Sequence, residues 1–251
     1  MRAQKGDYMA VKIYFASHKG GAGTTTCAVG VGLALAHSGE RVLFVDGDLR
    51  YPAGLTISGC AGLQVYTIEE ARRGACRVKQ VIIEHPRSPN FFIMPCYGCS
   101  DRKYISSAAG EVESQFDYVL CDRAARDKCD RAVAICEPYP TGIKGADICL
   151  NELTDCGFEG AGVIVNKVNG GLVYDGAIMP PADIAALLHA PLMGIIPEDL
   201  TIPLGGMRQD SVKAFKMTAA RISSGACKIY PAMRGYAGIG GYIKRKMRRK
   251  I

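Results

Sequence analysis

The chain has 251 residues and a formal net charge of +7, and 48% of its residues are hydrophobic while 22% are charged. This composition is typical of a globular protein with a sizeable core, and it excludes a chain that is disordered throughout. No stretch approaches the ~20 consecutive apolar residues of a transmembrane helix. The first eight residues also lack the apolar core of a secretory signal, so we expect a cytoplasmic protein.

Short apolar runs alternate with longer helical patterns from residue 11 onward. The runs rich in valine, isoleucine and phenylalanine predict strands over 11–17, 41–45, 91–94, 118–121, 132–136, 162–168 and 192–196. Helical patterns lie between them, over 25–37, 68–73, 107–114, 141–153, 181–189 and 211–227. The alternation predicts an α/β fold with a doubly wound, mostly parallel sheet and helices on both faces.

A glycine-rich loop joins the first strand to the first helix. We call it the phosphate loop, and its sequence is Lys19, Gly20, Gly21, Ala22, Gly23, Thr24, Thr25, Thr26. Its glycines allow successive backbone N–H groups to turn toward phosphate oxygens, and the N-terminus of the helix adds partial positive charge. Thr25 stands where a hydroxyl would bind Mg²⁺. The sequence therefore predicts nucleotide binding by residues 20–26.

The phosphate loop resembles the deviant P-loop of the MinD/ParA family of P-loop ATPases, Lys-Gly-Gly-x-Gly-Lys-Thr-Thr. The resemblance implies ATP and Mg²⁺ as cofactors and a homodimer formed on ATP binding, in which Lys19 reaches the partner's phosphate. Thr24 replaces the general P-loop lysine, and losing a charge-assisted contact weakens binding by about 1.5–3 kcal/mol. We therefore expect ATP binding with weakened hydrolysis. TadZ/CpaE-type relatives have similar loops, so a non-hydrolysing scaffold is the alternative.

Aspartates follow two of the predicted strands. Asp46 and Asp48 are similar to the family's Asp-x-Asp switch, in which the first joins the Mg²⁺ network and the second orients the attacking water. Asp122 matches the Walker B aspartate, which holds Mg²⁺ through water. The resemblance thus implies a metal site of Thr25, Asp46 and Asp122, with Lys19 and Asp48 as catalytic residues. The family continues Ser-Pro-Ala-Gly after this aspartate, but this chain has Arg123-Ala124-Ala125-Arg126, so we expect a different switch motion.

Two later segments, 163–168 and 194–199, resemble the family segments that grip adenine. Asn166 offers both a donor and an acceptor to a base edge. The resemblance therefore implies that Asn166 and Pro197 complete the nucleotide-binding residues.

Positive charge is concentrated at the C-terminus, where six cations leave the rest of the chain near neutrality: Lys244, Arg245, Lys246, Arg248, Arg249 and Lys250. On a helix, Ile243, Met247 and Ile251 share one stripe, flanked by cations such as Lys244 and Arg248. The arrangement resembles the membrane-targeting tail of MinD-type members. It predicts weak attachment to an anionic membrane surface, strengthened when two tails act together. A solvated tail and a nucleic-acid-binding tail are the alternatives.

The chain has eleven cysteines, so binding of a metal ion or an iron–sulfur cluster is a competing hypothesis. Cys96, Cys99 and Cys129 lie in regions where the nitrogenase iron protein, which has the same fold, holds an iron–sulfur cluster between subunits. The resemblance is partial, because the glycine-rich surroundings are absent. A zinc site on the same three residues lacks a nearby histidine. We expect ordinary reduced cysteines, and an iron–sulfur electron carrier remains the disfavoured alternative.

Together these motifs predict three regions. Residues 1–8 form a disordered leader before a second start-like methionine, 9–230 a MinD/ParA-like P-loop nucleotide-binding domain, and 231–251 a flexible hinge with the basic tail. The expected function is that of a septum site-determining, MinD-like ATPase on the inner face of the cell membrane. It would position division or other machinery with an activating or cargo protein that the sequence does not identify.

Overall fold

The computed structural model describes residues 9–225 and 227–236. The predicted leader, 1–8, and the predicted membrane-binding residues of the tail lie outside the described residues. The chain divides into two compact units. The first unit comprises the chain to Ala16 and Thr24–Ala132, and the second comprises Ser17–Gly23 and the chain from Val133. The prediction of one domain over 9–230 stays a prediction.

The first unit is a five-stranded sheet with helices. Its strands are β1 (Val11–Ala16), β2 (Val42–Asp46), β3 (Ile83–Glu84), β4 (Phe91–Pro95) and β5 (Tyr118–Asp122), in the order β3-β4-β2-β5-β1. All of these pairings are parallel except that of β3 with β4. Its helices are α1 (Thr24–His37), α2 (Ala53–Ser58), α3 (Ile68–Arg72), α4 (Val78–Val81) and α5 (Arg102–Val112).

The register of this sheet positions the acidic motifs. Asp46 ends β2 and lies directly beside Asp122, the last residue of β5. The carboxyl ends of parallel strands form one edge of a sheet, which is where ligands bind in open α/β folds. The two aspartates, far apart in sequence, are therefore neighbours at that edge.

The second unit holds three parallel strands, β6 (Arg131–Cys136), β7 (Gly162–Val168) and β8 (Leu192–Pro197), in the order β6-β7-β8. Its helices are α6 (Pro140–Asp155), α7 (Gly170–Tyr174), α8 (Pro181–Leu187) and α9 (Gln209–Ser224). The pairing of β7 with β8 shifts register between Val165 and Val168, so β7 is irregular near its end.

The core explains why the strands read as apolar runs. All five residues of β2 are buried, and α1 is buried along most of its length. A helix that is apolar on all sides belongs inside a protein, which accounts for the weak amphipathic pattern of α1. None of the helices in the described part of the chain is both long and apolar enough to cross a membrane.

The mostly parallel α/β topology confirms the predicted fold class, and each predicted strand is present with its ends shifted by at most one residue. Three short helices, α2, α4 and α7, and the two-residue β3 were not predicted. A capping box begins α3, because Thr67 N–H donates to Glu70 and Glu70 N–H donates to Thr67. Short elements escape prediction because a single turn has too few residues to establish a periodic pattern.

Two predicted helix boundaries are wrong. The helix predicted over 107–114 begins at Arg102, because the carboxylate of Asp101 accepts a hydrogen bond from Tyr104 N–H and caps the helix there. The helix predicted to continue to Cys227 ends at Ser224, because Gly225 adopts a left-handed conformation and its N–H donates to Arg221 O.

Candidate functional site

The phosphate loop turns at its glycines and is exposed from Lys19 to Gly21, whereas Ala22 and Thr24 are buried. Gly21 and Gly23 have positive φ values of 82° and 94°, which glycine adopts without the steric penalty of a side chain. Methyl groups placed on Gly20 or Gly21 would meet no described atom within 4 Å. The loop therefore leaves a cradle in front of its first two glycines, as a phosphate site requires.

Two lysines meet one buried glutamate beside this loop, all within the second unit. Lys19 Nζ lies 3.1 Å from one carboxylate oxygen of Glu137, and Lys167 Nζ lies 2.7 Å from the other. Burial alone would raise the pKa of Glu137, but the hydrogen bonds from Lys167 and Lys19 lower it overall. Glu137 is therefore an anion at neutral pH, and it holds the predicted catalytic Lys19 within its own chain.

Asp122 is the centre of the predicted metal site in the first unit. Thr25 Oγ1 donates to Asp122 Oδ2 across 2.5 Å, and Asp122 is fully buried. Its other oxygen, Oδ1, has no hydrogen bond among the described residues, although Arg123 Nε lies 3.9 Å away. A buried carboxylate oxygen without a donor suits a cation or its bound water. These residues thus fit Mg²⁺.

Asp46 lies beside Asp122 and is also fully buried. Burial raises the pKa of Asp46 to about 6, although N–H groups of Gly54 and Asp48 donate to its two oxygens at 2.7 and 3.2 Å. Burial likewise raises the pKa of Asp122. Burial disfavours the ionised forms of both carboxyls, and a divalent cation bound between them would stabilise those ionised forms. This electrostatic pattern agrees with the predicted metal role.

Asp48 is held by a residue that departs from the family pattern. Its Oδ2 accepts from Arg123 Nη1 at 2.8 Å, while Oδ1 accepts from the N–H groups of Arg50 and Tyr51. Arg123 adopts a left-handed φ of 57°, and its carbonyl accepts a hydrogen bond from Arg102. Arg123, which stands where the family has serine, therefore pairs its cation with the carboxylate of Asp48, the residue that was predicted to orient the attacking water.

The two residues predicted to hold adenine lie in different places. Pro197 lines a cavity of about 330 Å³ formed by the segments after β7 and β8 and by residues 230–236. Asn166 does not line this cavity; it is buried, and its Nδ2 donates to Ala22 O at 2.8 Å. The structure therefore brings Asn166 to the phosphate loop and Pro197 to a cavity of the size of small ligand pockets.

Asp199 organises one side of this cavity. Its carboxylate accepts hydrogen bonds from Thr201, from the backbone N–H of Arg208 and from Ser211 Oγ. Burial alone would raise the pKa of Asp199, but these hydrogen bonds together lower it to about 2. Arg208 and Ser211 both line the cavity. The carboxylate therefore ties the loop after β8 to the start of α9.

We expect Asp199→Ala to lower the free energy of unfolding by about 2–4 kcal/mol, because it leaves the buried Ser211 hydroxyl and three partly buried donors of Thr201 and Arg208 without an acceptor. The contribution of Asp199 is complete above about pH 4 and disappears as the pH falls toward 2, since the native state binds this proton more weakly than the unfolded chain. Urea unfolding at neutral pH measures the loss. The exposed Asp147→Ala is the control, and equal losses in both variants would contradict the role of Asp199.

The three cysteines of the competing hypothesis have other contacts. Cys96 Sγ donates to Met94 O, Cys99 Sγ to Asp101 O and Cys129 Sγ to Ala125 O. In the described part of the chain, no group of three or more histidine, cysteine, aspartate or glutamate side chains is placed to hold a metal ion. Burial raises the pKa of both the Cys96 and the Cys99 thiols, which disfavours the thiolate that a metal binds.

Comparison with known proteins decides the family. The family model described as the CobQ/CobB/MinD/ParA nucleotide binding domain matches residues 13–212. The chain belongs to this family. The septum site-determining protein MinD of Bacillus subtilis is 27% identical to it over 207 residues, which cover 76% of this chain and 77% of that protein. The MinD/ParA membership predicted from the phosphate loop is therefore confirmed.

Solved structures of MinD proteins are also similar to this chain. A chain of the MinC:MinD cell division protein complex from Aquifex aeolicus matches with a TM-score of 0.79 at 25% identity, covering 87% of this chain and 98% of that one. MinD of Pyrococcus horikoshii, solved in complex with Mg-ADP, matches with a TM-score of 0.71 at 23% identity, covering 86% and 97% of the two chains. At that identity the second likeness establishes the fold alone.

Within this MinD/ParA chain, sequence reasoning missed Glu137, Lys167 and Asp199. Glu137 follows an apolar strand directly, and Lys167 follows a residue that was singled out, so both carried a positional signal. A charged residue at the end of a parallel strand lies at the ligand edge of the sheet. The contacts of each side chain depend on the fold and could not be predicted from sequence spacing.

Proposed function

We propose that this chain is a MinD-like ATPase that binds Mg-ATP, dimerises on nucleotide and attaches peripherally to the anionic inner face of the cell membrane. There it would help to position division or other cellular machinery. The observation that carries the nucleotide part is the buried Asp122, whose Oδ2 accepts from Thr25 while its Oδ1 has no described hydrogen-bond donor. A relative of the same fold in complex with Mg-ADP supports this assignment.

The proposed site has three parts, which would bind the metal ion, the phosphates and the base. Thr25, Asp46 and Asp122 would hold Mg²⁺, which when bound offsets the charge of the phosphate oxygens. Backbone N–H groups of residues 20–26 would bind the phosphates, and the segment around Pro197 the base. These assignments follow the family resemblance and the contacts described above.

Hydrolysis would depend on Lys19 and Asp48, and each of them would first have to break an ion pair. Lys19 is paired with Glu137 and would have to leave it to reach a phosphate in the partner subunit. Asp48 is paired with Arg123, and it would orient the attacking water. Lys19 and Arg123 are about half exposed, whereas Glu137 is buried and Asp48 is partly exposed. The more exposed pair, Arg123 with Asp48, is worth no more than about 1 kcal/mol. We expect nucleotide binding to rearrange both pairs.

The second candidate is a nucleotide-binding scaffold of the TadZ/CpaE type that does not hydrolyse ATP. Two observations favour it: Thr24 supplies no charge at the P-loop lysine position, and Arg123 occupies the carboxylate of Asp48. In this candidate the protein would still bind ATP and dimerise. The two candidates differ in phosphate release alone.

Phosphate release from ATP separates the candidates. We expect the wild type to release phosphate above background, and Asp48→Ala to lower the rate by about 100-fold, since a group that positions the nucleophile typically contributes that much or more. Asp147→Ala, which changes an exposed aspartate of α6, should match the wild type. ATP binding without release in the wild type would establish the scaffold and overturn the ATPase.

Membrane attachment has its own test. We expect ATP, and not ADP, to drive co-sedimentation with phosphatidylcholine vesicles that contain phosphatidylglycerol, because two basic tails on a dimer bind together more strongly than one. Removing residues 242–251 should abolish this binding and leave ATP binding intact. Vesicle binding that is unchanged in the truncated chain would refute the role of Ile243, Lys244, Met247, Arg248 and Ile251. A partner protein is proposed because a relative forms a complex with MinC.

A further inference from the structure

Two consecutive residues at the end of β7 both contact the phosphate loop. Asn166 Nδ2 donates to Ala22 O at 2.8 Å, and Lys167 Nζ donates to Gly21 O at 2.6 Å. All four residues belong to the second unit. Two neighbouring carbonyl oxygens of the loop are thus held by two neighbouring side chains.

This arrangement is not what a regular strand provides. Successive side chains of a strand point to opposite faces, so residues 166 and 167 of an ordinary strand could not reach the same loop. Lys167 adopts a left-handed φ of 58°, and the register with β8 shifts across this segment. A left-handed residue other than glycine costs about 1–3 kcal/mol, and such irregularities concentrate at functional sites. The distortion of β7 is what brings both donors to the loop.

The surroundings of the two donors differ: Asn166 is buried, whereas the side chain of Lys167 is 42% exposed and is held by its hydrogen bonds. Lys167 Nζ also lies 2.7 Å from Glu137 Oε1, so the ammonium group is fixed between a carboxylate and the loop carbonyl. Asn166 is 4% exposed. A methyl group on Gly23 would lie 2.2 Å from Asn166 Nδ2, so the loop and the amide are in close contact.

We propose that Asn166 and Lys167 act as a carbonyl clamp, a pair of positioning residues that hold the phosphate loop ready for an anion before any nucleotide binds. In a planar trans peptide the C=O and the following N–H point in opposite directions. Fixing the carbonyls of Gly21 and Ala22 therefore also fixes the N–H groups of Ala22 and Gly23. The clamp compensates in part for Thr24, since a loop without its lysine depends more on its backbone donors. Only the identity of the anion, nucleotide phosphate, rests on the proposed function.

The first measurement needs no ligand. Backbone ¹⁵N relaxation of the nucleotide-free protein reports the order of the loop amides, with order parameters near ~0.85 for a rigid backbone and below ~0.6 for a flexible one. We expect the amides of Ala22 and Gly23 to be rigid in the wild type and flexible in Lys167→Met and Asn166→Ala. Lys167→Arg, which keeps a cationic donor, should restore order. The exposed Lys144→Met of α6 is the matched control for loss of a cation.

The second measurement uses inorganic tripolyphosphate, which has no base for Asn166 to bind. Both clamp variants should bind it about tenfold more weakly, the fold-change that corresponds to losing one hydrogen bond at about 1.4 kcal/mol. Loop order and tripolyphosphate affinity at wild-type levels in both variants would overturn the clamp. Weaker ADP binding by Asn166→Ala with unchanged tripolyphosphate binding would overturn it too, in favour of base recognition. If the wild type binds no nucleotide, the proposed function fails, while the relaxation data still decide the clamp.

Discussion

Replacing Gly47 with alanine is expected to lower the free energy of unfolding by about 3 kcal/mol, one of the larger effects of a single added methyl group. The new Cβ would lie 2.5 Å from Asp122 O and 2.7 Å from Ala124 N. These are backbone atoms, which cannot rotate away as the end of a side chain can. Gly47 N–H also donates to Asp122 O at 2.8 Å, so the clash would separate the two strands where both site aspartates lie.

Gly110→Ala is the matched control, because a methyl group there would meet no described atom within 4 Å. Gly110 lies inside α5, so alanine should stabilise the protein by about 0.5–1 kcal/mol. Thermal unfolding measures both changes, and we expect Gly47→Ala to lower the melting temperature by about 6–12 °C. Equal melting temperatures for the two variants would contradict the close approach at Gly47.

The second large effect is on the pH dependence of stability, through Asp46. Burial raises the pKa of this carboxyl from its ordinary value of about 3.9 to about 6, so the native state binds the proton more tightly than the unfolded chain. Stability therefore falls as the pH rises from about 4 to 6 and is level above that range, and the fall amounts to about 3 kcal/mol. Asp46→Asn should remove this fall.

Urea unfolding between about pH 4 and pH 7 tests this prediction through the difference between wild type and Asp46→Asn. Asp199→Asn is the contrasting control: its pKa is lowered to about 2, so its contribution to stability is constant above about pH 4 and changes with pH only below that, with the opposite sign. Between about pH 4 and pH 7 its pH profile should therefore run parallel to that of the wild type, at lower stability. Parallel pH profiles for wild type and Asp46→Asn would contradict the raised pKa of Asp46.

The acidic motifs illustrate how far the sequence predicts the site. Asp46 and Asp122 each follow a run of buried apolar residues, and parallel strands bring such ends to one edge of the sheet. Their proximity was therefore predictable. The pairing of Asp48 with Arg123 was not, because it requires a left-handed backbone at Arg123 that no local residue preference demands.

Asn166 illustrates the opposite case. The sequence motif predicted a residue that reads adenine, and the structure places its amide on Ala22 O, with Lys167 beside it on Gly21 O. A residue type and its position after a strand are local properties, whereas the direction of its side chain depends on an irregularity that forms between β7 and β8. The base-binding role of Asn166 stays a prediction, and the clamp is a separate proposal.

The phosphate loop, the order of the motifs along the chain and the resemblance to the MinD/ParA family were determined by the sequence alone, because each depends on residue types at short, fixed spacings. Tertiary structure decided which charged groups are paired: Lys19 and Lys167 with Glu137, and Arg123 with Asp48. It also decided that one buried oxygen, Asp122 Oδ1, has no hydrogen-bond donor among the residues that the structure describes. Such pairings join residues up to 118 positions apart, and only the folded chain fixes the burial and distances that govern them.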